Sequence, residues 1–534
     1  MPSHRNSLDI YLKGARKFLA FFLNVYSGRG QAVSCRKRVF LLPKALFKYI
    51  RILFVSVGLY LIFVALFSNV VADNDLWGYL SFGRVFWEDG YFPYGDVFSY
   101  TPTKSVWVYH EWLTGLSFYF IYKYAGVAGL QLLRYVIVLA TIYLIYLTAL
   151  KRGGTPLFAC IALVPAILLI SFGYVPVRAQ VFTYFFFILT AYLLESARKG
   201  GRWAILAWLL PVQILSCNLH GGFVAGLGLI GLYALGERLS GRKYIPIIIA
   251  GILATLATMI NPYGFQYWAY TIDALCMPRP EIDEWLSVLS AMKQGMHGVP
   301  IVVFTVMSFL SLLVCLGRRQ RDYTDILVTA VIIYIGVRHV RHSVFLGLIF
   351  GAYLPVVLFE YWNVLKEKSA FIQRRSWFPG AAFVVLLLLI YFYINPFKVL
   401  MLAPSFKIVT PTSNFPVGAV KWIMQNNVKG NILPHFDWGE FLIWHLYPPC
   451  HVAMDGRYET VYEDHVHREY FDFLSGRPGW KVFLQKYQHD MVLIKANTRT
   501  HSLMQNDPEW RVAYMDHESV LFMRKLEDRR AGVD

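Results

Sequence analysis

Long apolar segments dominate this chain and restrict it to one broad class of fold. Hydrophobic residues make up 57% of its 534 residues and charged residues only 16%, which excludes an ordinary soluble protein. A helix needs about 20 mostly apolar residues to cross a bilayer. We predict a polytopic α-helical membrane protein with about eleven transmembrane helices. The predicted spans, several short or interrupted, cover residues 52–71, 129–150, 156–174, 180–196, 203–218, 222–237, 244–261, 299–317, 324–337, 343–363 and 379–395.

Lysine and arginine collect in every second connection between these spans, which predicts the orientation of the chain. Residues 1–51 carry 11 of them against one acidic residue, Asp9. Because basic loops stay in the cytoplasm, the N-terminus is predicted to be cytoplasmic and the tail extracytoplasmic. We expect a bacterial inner membrane. The net charge of +18 lies in these short segments rather than on a nucleic-acid-binding surface, and residues 396–534 are neutral, with 16 basic and 16 acidic residues.

Three regions follow from these patterns. Residues 1–51 form a basic cytoplasmic segment, residues 52–396 a transmembrane domain with a long first outer loop at 72–128, and residues 397–534 a soluble extracytoplasmic domain. The apolar stretch at 111–124 is too short for a full crossing, and we interpret it as a re-entrant or juxtamembrane helix. In the tail, short β-prone runs alternate with helical patterns, which indicates a small α/β fold. The predicted strands are 430–433, 491–494 and 519–523, and the predicted helices are 419–425 and 479–487.

Two carboxylates lie where the first predicted span ends. The sequence there reads Asp73-Asn74-Asp75-Leu76-Trp77-Gly78. A charge at that depth is costly unless it serves a purpose, so the pattern indicates an enzyme or transport site. The other unusual polar residues also fall in outer connections, whereas the inner loops offer little beyond lysine and arginine. We therefore expect the site at the extracytoplasmic face.

The first outer loop resembles that of a known group of proteins. Residues 75–84 and 89–93, DLWGYLSFGR and DGYFP, give an acidic residue followed by an interfacial helix that ends in glycine and an aromatic residue. Residues 101–113, TPTKSVWVYHEWL, stand where that group has a proline-rich motif before an aromatic helix. With the many spans and the soluble tail, the chain resembles the glycosyltransferase-C (GT-C) superfamily, in particular the group of protein O-mannosyltransferases and aminoarabinose transferases.

The resemblance implies a membrane glycosyltransferase. Such an enzyme moves a sugar from a polyprenyl-phosphate-linked donor to a lipid, glycan or protein acceptor at the outer face of the membrane. Asp75 occupies the position of the superfamily's catalytic aspartate, so we expect it to be the general base, and Asp73 is the substitute candidate. The superfamily contains metal-dependent and metal-independent members. A divalent cation, Mg or Mn, bound by Asp73, Asp75 and Glu111 is therefore left open.

Further residues of the outer loops have expected roles in binding the substrates. Arginine suits phosphate because its planar guanidinium donates two parallel hydrogen bonds. Histidines here could position the donor or the acceptor. Two tail segments, 435–444 and 454–459, combine aromatic and acidic residues and could recognise an acceptor. The predicted phosphate ligands are Arg178, Arg338 and Arg341, and the predicted positioning residues are His110, Glu111 and His220.

Structural explanations compete with each of these roles. Asp75 could cap a helix, His220 could complete a turn, and Arg338 and Arg341 could anchor the chain at the membrane surface. A transporter or flippase of a lipid-linked sugar is the alternative function. Such a protein is expected to show internal repeats and broken helices at the membrane midplane, and the sequence shows no repeat. A non-catalytic subunit for assembly of envelope polysaccharide is the third hypothesis.

Overall fold

The computed structural model describes most of the chain. It covers residues 60–369 and 403–525, apart from residues 175, 278, 280, 281, 297, 319 and 320, and it also covers residues 57, 58 and 380. The basic segment 1–51 and nearly all of the predicted span 379–395 lie outside the described residues. Everything below concerns the described part of the unit that runs from Gly58 to Asp534.

The first two thirds of the chain are helical. Six helices in the described residues are long and apolar enough to cross a membrane, and two further apolar helices, Trp203–Leu219 and Ile245–Ala257, are shorter. The polytopic helical class is thus confirmed, whereas the count of about eleven spans is not. The predicted span 324–337 is also a helix, of only 16 residues. The six candidate spans are Trp112–Lys151, Pro156–Tyr174, Gln180–Gly200, Gly221–Leu239, Gly298–Gly317 and Val340–Lys368.

Twelve helices of this region are labelled in chain order. They are α1 (Asp75–Glu88), α2 (Trp112–Lys151), α3 (Pro156–Tyr174), α4 (Gln180–Gly200), α5 (Leu209–Leu219), α6 (Val224–Leu239), α7 (Ile245–Ala257), α8 (Gln266–Cys276), α9 (Val288–Lys293), α10 (Gly298–Gly317), α11 (Tyr323–Arg338) and α12 (Ser343–Lys368).

Helix α2 joins two segments that the sequence suggested were separate. It contains 40 residues and would be about 60 Å long if it were straight, twice the thickness of the hydrocarbon core. Gly126 interrupts it with φ 59° and ψ −160°, a conformation open to glycine because it lacks a Cβ atom. The predicted short helix 111–124 and the predicted span 129–150 are the two parts of this kinked helix.

Basic and acidic residues of the connections predicted to be cytoplasmic meet in a buried ion-pair network. Arg152, at the end of α2, pairs with Glu195 of α4 and lies 2.6 Å from Asp325 of α11. Arg198 pairs with Asp322, which also lies 2.9 Å from Arg242. These contacts bring together the connections that the alternation of basic loops assigned to one face. Buried charges need partners, so the network fixes the helix ends at this face.

The tail folds around a five-stranded mixed sheet, which confirms the predicted α/β character. The strands are β1 (Gly430–Pro434), β2 (Cys450–Val452), β3 (Met491–Lys495), β4 (Trp510–Met515) and β5 (Ser519–Arg524), and the helices are α13 (Val417–Gln425), α14 (Gly439–Leu446), α15 (Asp464–Leu474), α16 (Lys481–Lys486) and α17 (Arg499–Gln505). Strand order is β2-β1-β3-β5-β4; β1 runs parallel to β2 and β3, and β5 runs antiparallel to β3 and β4. All five predicted tail elements are present, while β2, β4, α14, α15 and α17 were not predicted.

The tail packs directly against the first outer loop. Trp77 of α1 makes edge contacts with Phe415 and Phe441, with ring centroids 6.4 and 5.4 Å apart, inside one buried cluster that extends to the sheet. Ser99 of the loop pairs with Val452 along the outer edge of β2, the last strand on that side of the sheet. Covering a sheet edge satisfies backbone groups that would otherwise remain unpaired. The helix that carries Asp75 is therefore held between the membrane part and the sheet.

Helix α1 crosses α2 at a close contact between glycines, which yields a test of the fold. A Cβ atom at Gly83 would overlap the carbonyl oxygen of Gly115 and the Cβ of Tyr119. Backbone cannot move aside as a flexible side chain can, so we expect Gly83→Ala to cost about 1–3 kcal/mol of stability.

Thermal unfolding of the purified protein in detergent measures this effect. Gly231→Ala in α6 is the matched control, since a Cβ there meets nothing within 4 Å. We expect a clear fall in the apparent Tm for Gly83→Ala and none for Gly231→Ala. Equal Tm values for the two variants would contradict the close α1–α2 contact.

Candidate active site

Asp73 and Asp75 stand at the start of α1, as the sequence predicted. The backbone N–H of Asp75 donates to Oδ1 of Asp73 at 3.1 Å, which fixes the two carboxyl groups relative to each other. The Asp75 side chain is 32% exposed and that of Asp73 only 16%. Asp75 is therefore the more accessible of the two to a substrate.

Arg178 joins three carboxylates from separate parts of the chain. Its Nη2 lies 2.5 Å from Oδ2 of Asp75, its Nε 3.2 Å from Oδ1 of Asp73, and its Nη1 2.7 Å from Oε1 of Glu284. Arg178 lies in the short connection between α3 and α4, and Glu284 in the 3₁₀ turn Asp283–Trp285. We call Asp73, Asp75, Glu284 and Arg178 the arginine–carboxylate cluster. Within this cluster, Arg178 orients the Asp75 side chain by binding one of its two carboxylate oxygens, Oδ2.

Glu111 forms a second cluster with two histidines. Its Oε1 lies 3.4 Å from Nε2 of His220 and 3.7 Å from Nε2 of His110, and the hydroxyl of Tyr79 donates to it at 3.4 Å. The backbone N–H of Gly222 donates to Nδ1 of His220 at 2.9 Å. Because Nδ1 accepts, the proton of the neutral ring sits on Nε2, the nitrogen that faces Glu111.

Arg338 ends α11, and Arg341 follows it in the connection to α12. The guanidinium carbon of Arg341 lies 4.8 Å from the centre of the Trp285 ring, and that of Arg279 lies 4.4 Å from it. Such stacking holds a guanidinium in place while leaving its N–H groups able to bind an anion. Burial raises the pKa of Glu111 and lowers that of His220; the charge of Arg341 opposes the first shift and adds to the second, which means that it acts on that cluster. Arg338 is exposed.

The tail contributes an acidic group that the sequence analysis did not assign to the site. Glu440, in the first turn of α14, is buried, and its Oε2 accepts the backbone N–H of Gly78 in α1 at 3.1 Å. Next to it, Arg457 donates to Asp455 at 2.6 Å and also pairs with Asp96 of the first outer loop. Both tail segments that stood out in the sequence, 435–444 and 454–459, thus meet this loop.

Burial controls the charge of these groups. It raises the pKa of Asp73 to about 7, although Arg178 acts in the opposite direction. Burial, and then the negative charge of Asp75, raises the pKa of Glu111 to about 8. Burial also lowers the pKa of His220 well below its usual range. At neutral pH Glu111 is mostly protonated and His220 is neutral, so Arg178 and Arg341 face less negative charge than the residue count suggests.

The described side chains do not fit a divalent cation site. In the part of the chain that the structure covers, no three or more His, Cys, Asp or Glu residues are grouped as metal ligands. Asp73 and Asp75 face Arg178, while Glu111 faces two histidines. The three carboxyl groups considered together for Mg or Mn in the sequence are therefore divided between two clusters.

Sequence reasoning identified most, but not all, residues of this arrangement. Asp73, Asp75 and Arg178 meet in one cluster, and His110, Glu111 and His220 in the other. Arg341 is near the second cluster, and Arg338 forms part of neither. The tail segments stood out in the sequence, but the contact of Glu440 with α1 was not predicted, because a contact across 362 residues leaves no local signal.

Comparison with known proteins gives the fold. No known protein family and no curated protein matches the sequence. Solved structures do match. ArnT from Cupriavidus metallidurans bound to undecaprenyl phosphate has 15% identity and a TM-score of 0.50, over 89% of this chain and 98% of ArnT.

Two other solved structures have the same architecture. The oligosaccharyltransferase of Archaeoglobus fulgidus, tethered to an acceptor peptide, has 12% identity and a TM-score of 0.53, over 85% of this chain and 70% of its own. The mycobacterial arabinofuranosyltransferase AftD has 13% identity and a TM-score of 0.52, over 90% of this chain and 40% of its own. All three are glycosyltransferases of the GT-C type. This chain therefore shares its fold with these three GT-C-type glycosyltransferases.

Proposed function

We propose that this protein is an integral-membrane glycosyltransferase that moves a hexosyl or pentosyl group from a polyprenyl-phosphate donor to a lipid, glycan or protein acceptor. The observation that carries the proposal is the partly exposed carboxyl group of Asp75, which Arg178 orients at the first outer loop of a GT-C fold. Support for the donor comes from ArnT, which is solved with undecaprenyl phosphate, and support for an acceptor from the oligosaccharyltransferase with its peptide.

In the proposed reaction, Asp75 is the general base. The acceptor attacks the anomeric carbon of the sugar, the bond from that carbon to the phosphate oxygen breaks, and its electrons leave with the polyprenyl phosphate. The proton of the acceptor passes to Asp75. Arg178 already contacts three carboxylates, so its first role is to orient Asp75. Arg341 and Arg338 are then the proposed ligands of the donor phosphate, with His110, Glu111 and His220 positioning the substrates.

The finer topology belongs to this proposal. We propose eleven spans, a cytoplasmic N-terminus, and an extracytoplasmic tail beginning near residue 397, in a bacterial inner membrane. Two separate groups of charged residues support this topology. The connections predicted to be inner meet in one ion-pair network, and those predicted to be outer meet at the candidate site. The site would then face the side on which polyprenyl-linked sugars are used.

Replacing the proposed base tests the function. We expect Asp75→Asn to insert and fold normally but to lose about 10²- to 10⁴-fold in transfer rate, because the amide keeps the shape and loses the basic oxygen. Asp73→Asn is the matched control and should have a milder effect, since Asp73 is the more buried group. Transfer is measured with purified protein in nanodiscs and a panel of polyprenyl-phosphate sugars.

Three results would count against this proposal. Near-normal transfer by Asp75→Asn would remove its role as base. A larger loss in Asp73→Asn than in Asp75→Asn would assign the base to Asp73. Movement of the lipid-linked sugar across the bilayer, without transfer to any acceptor, would favour a flippase.

The two proposed arginine roles predict different kinetic effects. We expect Arg341→Lys to weaken donor binding about ten- to hundred-fold with little change in kcat, because a point charge cannot reproduce the planar fork. Arg178→Lys should instead lower kcat, since one ammonium group cannot hold Asp73, Asp75 and Glu284 together. Saturation kinetics with varied donor separate the two effects. Unchanged donor affinity in Arg341→Lys would place the phosphate elsewhere.

A further inference from the structure

The soluble tail places a buried carboxyl group beside the proposed base. Glu440 is only 6% exposed, and its Oε2 accepts the N–H of Gly78, one turn along α1 from Asp75. Its other oxygen faces Gly456. A Cβ atom added at Gly456 would lie 3.0 Å from Oε1 of Glu440 and 3.8 Å from Oδ1 of Asp75. The two acids therefore flank the same glycine.

Acidic groups surround Glu440 on several sides. Besides its burial, the charges of Asp75 in α1 and Asp455 after β2 act on it, and Glu111 before α2 is the third acidic neighbour. Arg457 is the neighbouring cation, but it donates to Asp455 and Asp96. Among the described residues, no lysine, arginine or histidine forms an ion pair with Glu440. A buried carboxyl group in such surroundings is more stable when it is neutral.

The pKa of Glu440 agrees with its buried position beside acidic residues. Burial, and then the charges of Asp75 and Asp455, raises the pKa of Glu440 well above its usual range. An ionised Glu440 would repel Asp75 across Gly456. The neutral acid adds no charge there and can still accept the hydrogen bond from Gly78.

We propose that Glu440 is a positioning residue of the active site, and that it acts as a neutral carboxylic acid which binds α1 through Gly78 and fixes the surroundings of Asp75. This inference rests on the proposed function for its kinetic consequence. It makes the soluble domain a structural part of the catalytic site, in addition to any role in binding an acceptor.

Two substitutions of Glu440 by residues of similar size distinguish a neutral acid from an ionised carboxylate and from a side chain that only fills space. Glu440→Gln keeps both an acceptor and a donor and resembles the protonated acid, whereas Glu440→Met fills the space without hydrogen bonds. We expect Glu440→Met to lower kcat at least tenfold with donor KM changed less than threefold. Glu440→Gln should be at least fivefold more active than Glu440→Met. The control is Glu509→Gln, which removes an exposed carboxylate of the tail.

Each outcome decides between defined roles. Equal losses in the Gln and Met variants would overturn the neutral acid, since an ionised group would then be required. Wild-type activity in Glu440→Met would overturn the positioning role and leave only packing.

Gly456→Ala should displace the Glu440 carboxyl group and lower kcat in the wild-type background. It should not lower kcat further in Glu440→Met, because the two changes act on one interaction. Additive losses would contradict that coupling.

Infrared spectroscopy determines the protonation state of Glu440 without any measurement of sugar transfer. The infrared difference spectrum of wild type minus Glu440→Gln at neutral pH should contain the C=O stretch of a protonated carboxyl group. A band from an ionised carboxylate instead would overturn the inference even if transfer is normal. If wild type transfers no sugar, the proposed function fails, and the infrared result still decides the state of Glu440.

Discussion

The arrangement of the site depends on Arg178. A largely buried guanidinium needs anionic partners, and Arg178, whose side chain is 17% exposed, obtains them from Asp73, Asp75 and Glu284. These partners tie the start of α1 to the α3–α4 connection and to the turn before α9. Since the same arginine orients Asp75, the interaction that joins the outer loops also prepares the proposed base.

A second constraint comes from the tail, which holds α1 from the opposite side. Trp77 packs among Phe415 and Phe441, and Glu440 accepts a hydrogen bond from Gly78. One face of α1 thus contacts the C-terminal α/β domain, while Gly83 contacts α2. A helix held on two sides keeps its first-turn residues in a fixed geometry, as catalysis by a positioned base requires.

The sequence predicted local features well and long-range contacts poorly. Apolar segments and basic loops were sufficient for the helical class, and short β-prone runs for the strands at 430–434, 491–495 and 519–524. The length of α2 was missed because the stretch before Gly126 looked too short to span and the one after it looked complete. Glu284 and Glu440 lacked assigned roles because each is defined by a partner more than 100 residues away. Likewise, only the three-dimensional fold shows that Glu111 lies in a different cluster from Asp73 and Asp75.

The most direct test is a cryo-EM structure of this protein in nanodiscs with a polyprenyl phosphate bound. We expect density for the phosphate at the outer end of the helices, against Arg341 and on the side of the site that carries Asp75. Phosphate density in the inner network around Arg152 and Arg198, or beyond hydrogen-bonding reach of every outer-loop arginine, would contradict the proposed site.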